Sequence, residues 1–302
     1  MDNITQQESY TTEQLISYMK RNRKMMEEDF KDCILPVTAG KEMILETEAG
    51  SVRVLAYNME KTGKLPVFVN LHGGGFVIGK AEVDDAFMPD IAEKANIRII
   101  NVDYSLAPEN PFPRALEEIY AVLKYLKQYA DELGIDPNRI AIGGHSAGGN
   151  FTASICLMNN ERKEVLIQCA ILDYPPLDIY TDGSKRPQVE NGISYEVSRI
   201  FDACYHNVKE ERKNPLISPL LASDEQLKHF PPALIITAEN DSLCNEAELF
   251  WKRLVKVGVE AEYKCFKGCP HGFTHQNVPE AKVAWMMMIS FLKDNLWKSN
   301  IT

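Results

Sequence analysis

The chain has 302 residues, 45% of them hydrophobic, and a formal net charge of −10 at neutral pH. That is enough apolar material for one large domain or two small ones, and too acidic a surface to expect nucleic acid or an anionic membrane as partner. The one basic cluster, KRNRK at Lys20–Lys24, is expected on the solvated face of an N-terminal helix, and the longest apolar run, Ala284–Leu292, is far too short to span a bilayer.

The N-terminus lacks a basic segment followed by an apolar core, and the seven cysteines, scattered from Cys33 to Cys269, form no disulfide framework. A cytoplasmic, reducing setting is the expectation. Residues 1–40 are polar and helical in character. EMILET and VRVLAYN, joined at EAGS, then read as an antiparallel hairpin at a sheet edge. Six further strand-like runs follow: VFVNLH, IRIINVDY, RIAIGG, QCAILDY, ALIITAE and AEYKCF. Helical patterns fill most gaps, including Ala115–Leu133 and Glu246–Gly258. The alternation predicts an α/β fold: a mostly parallel eight-stranded sheet with helices on both faces. Residues 178–218 break the rhythm with an excursion too long for an ordinary crossover. With residues 1–40 it is expected to form a small helical cap over a core of residues 41–177 and 219–302.

The stretch GGHSAGG, residues 143–149, lies between a strand-like run and a helical one. A serine on so sharp a turn needs glycine two positions before and two after, which Gly144 and Gly148 supply, so Ser146 is a candidate nucleophile. A G-x-S-x-G pattern arises by chance in roughly one chain of this length in ten, so partners are required. Ligands of such sheets bind at the carboxyl ends of strands. There the sequence offers HGGGF (His72–Phe76), AEND (Ala238–Asp241) and KGCPHGF (Lys267–Phe273). A serine hydroxyl needs an imidazole to take its proton and a carboxylate to orient that imidazole. Ser146, Asp241 and His271 stand in a workable chain order, with Glu239 a competing acid. The glycines of HGGGF can aim backbone N–H groups at an oxyanion, joined by the N–H of Ala147. Cys265, Cys269, His271 and His275 are zinc-compatible by type, but Cys265 belongs to a strand and a metal would occupy the lone pair His271 needs. No metal and no cofactor is expected.

Through HGGGFVIG, VDYSLAPENPFPRALEE, GGHSAGGN, AENDSLCNEA and HGF, from about residue 42 to the end, the chain resembles the hormone-sensitive-lipase-like family of α/β-hydrolase esterases. The resemblance implies Ser146 as nucleophile, His271 as base and Asp241 as its partner. It implies an oxyanion hole of Gly74, Gly75 and Ala147, with His72 and Gly73 shaping the loop. Three departures stand out: His145 where the family often has an acid, Ser105 where it often has arginine, and an acid loop without the usual proline and second aspartate. His145 is expected to pack or hydrogen-bond behind the serine. Tyr195, Phe201 and Tyr205 of the cap are candidates for the acyl pocket and equally for helix packing. The expected activity is hydrolysis of small-molecule esters of short acyl groups, acetyl to butyryl, through an acyl-enzyme. An amidase of the arylformamidase type and a non-catalytic receptor on the same fold are the rivals. A homodimer through an edge strand or helix stays open.

Overall fold

Runs of β-branched and apolar residues become buried strands because every second side chain has a helix layer to pack against on either side. Leu65–Leu71 (LPVFVNL) is buried at all seven positions. The structure, a computed structural model, describes residues 10–29, 39–190 and 192–298. The first half runs α1 (Thr12–Asp29), β1 (Lys41–Thr47), β2 (Gly50–Tyr57), β3 (Leu65–Leu71), α2 (Met88–Ala95), β4 (Arg98–Asp103), α3 (Arg114–Gln128), α4 (Ala130–Leu133) and β5 (Ile135–His145). The second runs α5 (Ala147–Arg162), β6 (Ile167–Asp173), α6 (Tyr195–Tyr205), α7 (Asp224–Leu227), β7 (Ala233–Asn240), α8 (Cys244–Lys256), β8 (Ala261–Pro270) and α9 (Pro279–Leu296).

Among the described residues eight strands form one sheet in the order β1-β2-β4-β3-β5-β6-β7-β8. The β1–β2 hairpin is antiparallel, as is β2 with β4, and the rest is parallel, as expected. The period of two along β3 divides the core. Val67, Val69 and Leu71 pack with Leu116 of α3, Phe151 of α5 and Phe250 of α8. Phe68 packs on the opposite face with Ile91 of α2 and Met288 of α9. Each such side chain, fully buried, contributes about 1.5–3 kcal/mol.

Two boundaries differ from the sequence expectation. The helix expected over Ala115–Leu133 breaks at Tyr129, whose φ of −102° and ψ of 27° leave the helical region, and α4 then stops at Gly134 in the left-handed conformation, φ 62°. Strand β5 begins at Ile135, before the apolar run, because Leu65 already pairs with Ile135 and the register then shifts to Val67 with Ile140. The polar DPN between them carries the irregularity.

Of the N-terminal segment, residues 1–9 and 30–38, Cys33 included, lie outside the described residues. Helix α1 packs Leu15 and Met19 against Ile200, Ala203 and Cys204 of α6 and against Val77 and Ile78 beyond β3. The KRNRK cluster is only partly solvated. Lys20, Arg21 and Lys24 are exposed. Arg23 instead turns inward to pair with Glu109 at 2.6 Å and to donate to the Ala107 carbonyl. The long excursion is tied to the core by Arg186, whose Nε lies 2.9 Å from Glu246 of α8. No helix among the described residues is long and apolar enough to cross a membrane.

Candidate active site

Strand β5 ends at His145 and α5 starts at Ala147, so Ser146 alone makes the turn, at φ 52° and ψ −116°. A non-glycine residue there is strained and persists only where its surroundings over-determine it. They do: the Ser146 N–H donates to the Asp173 carbonyl at 2.8 Å. A Cβ on Gly148 would collide with the Leu71 carbonyl, and one on Gly144 would sit 2.6 Å from the Gly148 carbonyl carbon. Two side-chain-free positions therefore let helix, elbow and β3 close up behind the serine.

His271 follows β8, on a turn completed by Gly272 at φ 76° and anchored by the fully buried Phe273. Its Nε2 lies 3.0 Å from Ser146 Oγ and its Nδ1 2.7 Å from Asp241 Oδ2. Asp241 is 2% exposed, and its other oxygen accepts the Leu243 N–H at 3.0 Å. Burial works against a charged His271, but the Asp241 carboxylate outweighs it and raises the imidazole pKa above its ordinary 6.5. Glu239 faces elsewhere: its carboxylate takes Lys267 Nζ at 2.7 Å and the Gly268 N–H at 2.9 Å. Asp241 is thus the acid in reach.

The loop after β3 runs alongside the elbow, since a Cβ on Gly73 would lie 3.5 Å from that of Ser146. Gly74 at φ 131° and Gly75 at φ 57° make its bend, held by the Val77 and Ile78 N–H groups on the Gly74 carbonyl at 3.1 and 3.0 Å. Ala147 opens α5, where the first N–H groups have no partner within the helix and the helix dipole favours an anion. His72 is wholly buried. It stacks on Tyr104 at 4.1 Å and donates from Nδ1 to the Gly73 carbonyl at 2.8 Å. Burial lowers its pKa. Its ring also contacts the loop itself, at Gly73 and beside Gly79.

Phe201 of α6 lies directly over Gly75. Tyr205 is buried and stacks on Phe76 at 4.0 Å. Tyr195, at the start of α6, is partly buried. Ser105 gives its N–H and hydroxyl to Glu118 at 2.8 and 2.7 Å, and Arg114 Nε completes that carboxylate.

The four zinc-compatible residues are not brought together. Cys265 Sγ faces Cys244 Sγ at 3.9 Å, His271 faces the serine, and His275 donates from Nε2 to Asp84 at 2.7 Å. The ligand-capable cluster among the described residues is Asp84, His145 and His275, with atoms within 4.8 Å of one another. His145 turns away from Ser146, as expected, and its Nδ1 meets Asp173 Oδ2 at 2.8 Å. Asp173 is the neighbour that sequence reasoning passed over. Its signal was an aspartate closing the apolar run QCAIL, buried at 0% exposure.

Residues 68–275 match the alpha/beta hydrolase fold family. An AB hydrolase superfamily protein of Schizosaccharomyces pombe is 34% identical over 69% of this chain, which spans 63% of that relative's length. An arylesterase of Saccharolobus solfataricus is 29% identical over 86% of this chain and 84% of its own. Among solved structures, the thermostable carboxylesterase EstE1, cloned from a metagenomic library, superimposes with a TM-score of 0.79 at 30% identity, covering 95% of this chain and 98% of that one.

Proposed function

Because the chain belongs to the alpha/beta hydrolase fold family, among its hormone-sensitive-lipase-like carboxylic ester hydrolases, we propose that it hydrolyses short-chain acyl esters through an acyl-enzyme formed on Ser146. The observation that carries this reading is the unbroken line from Asp241 Oδ2 through His271 to Ser146 Oγ, with steps of 2.7 and 3.0 Å. His271 Nε2 takes the Ser146 proton as Oγ attacks the ester carbonyl. The carbonyl oxygen, now an oxyanion, is held by backbone N–H groups of Gly74, Gly75 and Ala147. Collapse expels the alcohol, which receives the proton from His271, and water repeats the cycle to free the acid. Asp241 holds the imidazole in the tautomer whose Nε2 carries the lone pair.

Helix α1 and the 178–218 excursion act as one cap. The preference for acetyl to butyryl chains is supported by Phe201 over Gly75 and by the 9% exposure of Ser146, which leave little room beside the reacting oxygen. The six cysteines among the described residues are all free, which favours a reducing, cytoplasmic setting.

A fluorophosphonate probe is expected to label the wild type and not Ser146→Ala, and p-nitrophenyl esters to be cleaved progressively more slowly beyond butyryl. A folded wild type that takes no label overturns the reading. Matched ester and anilide substrates separate esterase from amidase.

A further inference from the structure

We infer that the buried carboxylate of Asp173, shared by His145 and Thr274, is a positioning group that sets the spacing between the nucleophile and its base. The inference rests on the esterase reading above. Asp173 ends β6 as the register partner of His145, the last residue of β5, so the two side chains leave the sheet on the same face. One oxygen, Oδ2, accepts from His145 Nδ1 at 2.8 Å and from the Thr274 hydroxyl at 2.8 Å. The main-chain carbonyl of Asp173 also accepts the Ser146 N–H. A single residue therefore grips the elbow next to Ser146 and the loop three residues beyond His271.

The far side of this grip is closed as well. The Thr274 carbonyl accepts Trp285 Nε1 at 2.8 Å, and the Tyr174 hydroxyl lies 2.8 Å from Thr274 Oγ1 and 2.9 Å from His275 Nδ1. His275 in turn holds Asp84, on the turn that follows the glycine loop. All three pieces of the site, elbow, base loop and glycine loop, meet in one buried network behind the serine.

The charges favour a positioning role over plain packing. Asp173 Oδ1 is buried with no hydrogen-bond partner. A wholly buried carboxylate is a costly way to fill space, and a neutral side chain would fill it more cheaply. Its ionisable partner is His145, whose Nδ1 lies 2.8 Å from Oδ2. Burial opposes a cationic imidazole there, yet Asp84 and Asp173 together raise its pKa. At Asp84 the histidines His145 and His275 outweigh burial and hold its carboxyl down at about 2. Hydrogen bonds in a dry site fix distances tightly, and a misplacement of about 1 Å between reacting groups can cost about 100-fold in rate.

Two substitutions at one residue separate positioning from packing. Thr274→Val keeps the shape and deletes the donor, whereas Thr274→Ser keeps the donor and deletes a methyl. The expected result is a kcat about tenfold lower for Thr274→Val, with KM within about twofold, and near wild-type kinetics for Thr274→Ser. Combining Thr274→Val with His145→Gln should lower kcat by less than the product of the two single effects, since both act through Asp173. A Thr274→Ser variant worse than Thr274→Val, a Thr274→Val variant with wild-type kcat, or fully multiplicative effects would overturn the inference. If wild type neither hydrolyses esters nor takes the fluorophosphonate label, the functional reading fails first; active wild type with an indifferent Thr274→Val defeats this inference alone.

Discussion

Ser146 stands between two histidine–carboxylate pairs of almost equal length, His271–Asp241 at 2.7 Å in front and His145–Asp173 at 2.8 Å behind. In both, burial opposes the imidazolium and carboxylates outweigh it, so both pKa values move upward. Their difference lies in what else each ring meets. The second nitrogen of His271 faces Ser146 Oγ, and its side chain keeps 16% of its exposure. His145 keeps 4% and packs under Trp285, 5.1 Å between rings, on the face covered by α9. A proton relay needs a donor on one side and an outlet for the proton on the other, and only the front pair has both. The back pair has the same chemistry with no path, which leaves it a structural tie. Pairing alone does not identify a base.

The sharpest way to break that comparison is to disable each pair in turn. His271→Gln is expected to lower kcat by about 10⁶-fold and Asp241→Asn by about 10⁴-fold, the losses typical of a base and of the acid that orients it. Asp173→Asn, which removes charge from the back pair, should cost no more than about 100-fold. Steady-state hydrolysis of p-nitrophenyl acetate, with unfolding midpoints as control, measures all three. A reversed ranking of Asp241 and Asp173 would exchange the roles assigned to the two pairs.

The front pair was legible in the sequence and the back pair was not, for a physical reason. Ser146, Asp241, His271 and the glycine loop each follow an apolar strand, so their positions could be read once the strands were. Buried parallel strands announce themselves as apolar runs such as VFVNL and ALIIT. Asp84, Asp173 and Thr274 share no such local pattern: each is one polar residue, and they converge only through the order β3-β5-β6 and the turn after β8. His145 was visible as a departure, but what it touches depends on the β5–β6 register. Likewise Arg23 was hidden inside a basic run, since nothing local marks which of its charges meets Glu109. Element ends failed where backbone geometry overrode pattern, at Tyr129 and at Ile135.

The front pair also sets a pH dependence. In the proposed mechanism His271 must be neutral to accept the serine proton, and its pKa is raised, so the neutral form is lost as pH falls through a value above 6.5. The acid limb of kcat/KM is therefore expected to have its midpoint above 6.5, with about a tenfold loss per pH unit below it. Asp241→Asn removes the carboxylate that raises the pKa, so the residual activity of that variant should show its limb at lower pH than wild type. Profiles between about pH 5 and about pH 9 test this. A midpoint that stays put in Asp241→Asn would mean that another carboxylate governs His271.

The smallest expected effect concerns the rival acid. Glu239 lies two residues before Asp241 and would serve as well by composition, but β7 and β8 lose register between Ala238 and Asn240, and the chain turns there. That turn delivers Asp241 to the buried side of the loop and leaves Glu239 at the surface with Lys267, which holds its carboxyl below the ordinary pKa. A surface ion pair of this kind contributes little and is screened by salt. Glu239→Gln should accordingly keep kcat/KM within about twofold of wild type, with an unshifted acid limb. A large loss with the fold intact would mean that the surface pair, by holding Gly268, controls the approach of His271 to the serine, and the division between front pair and supporting structure would have to be redrawn at the β8 end.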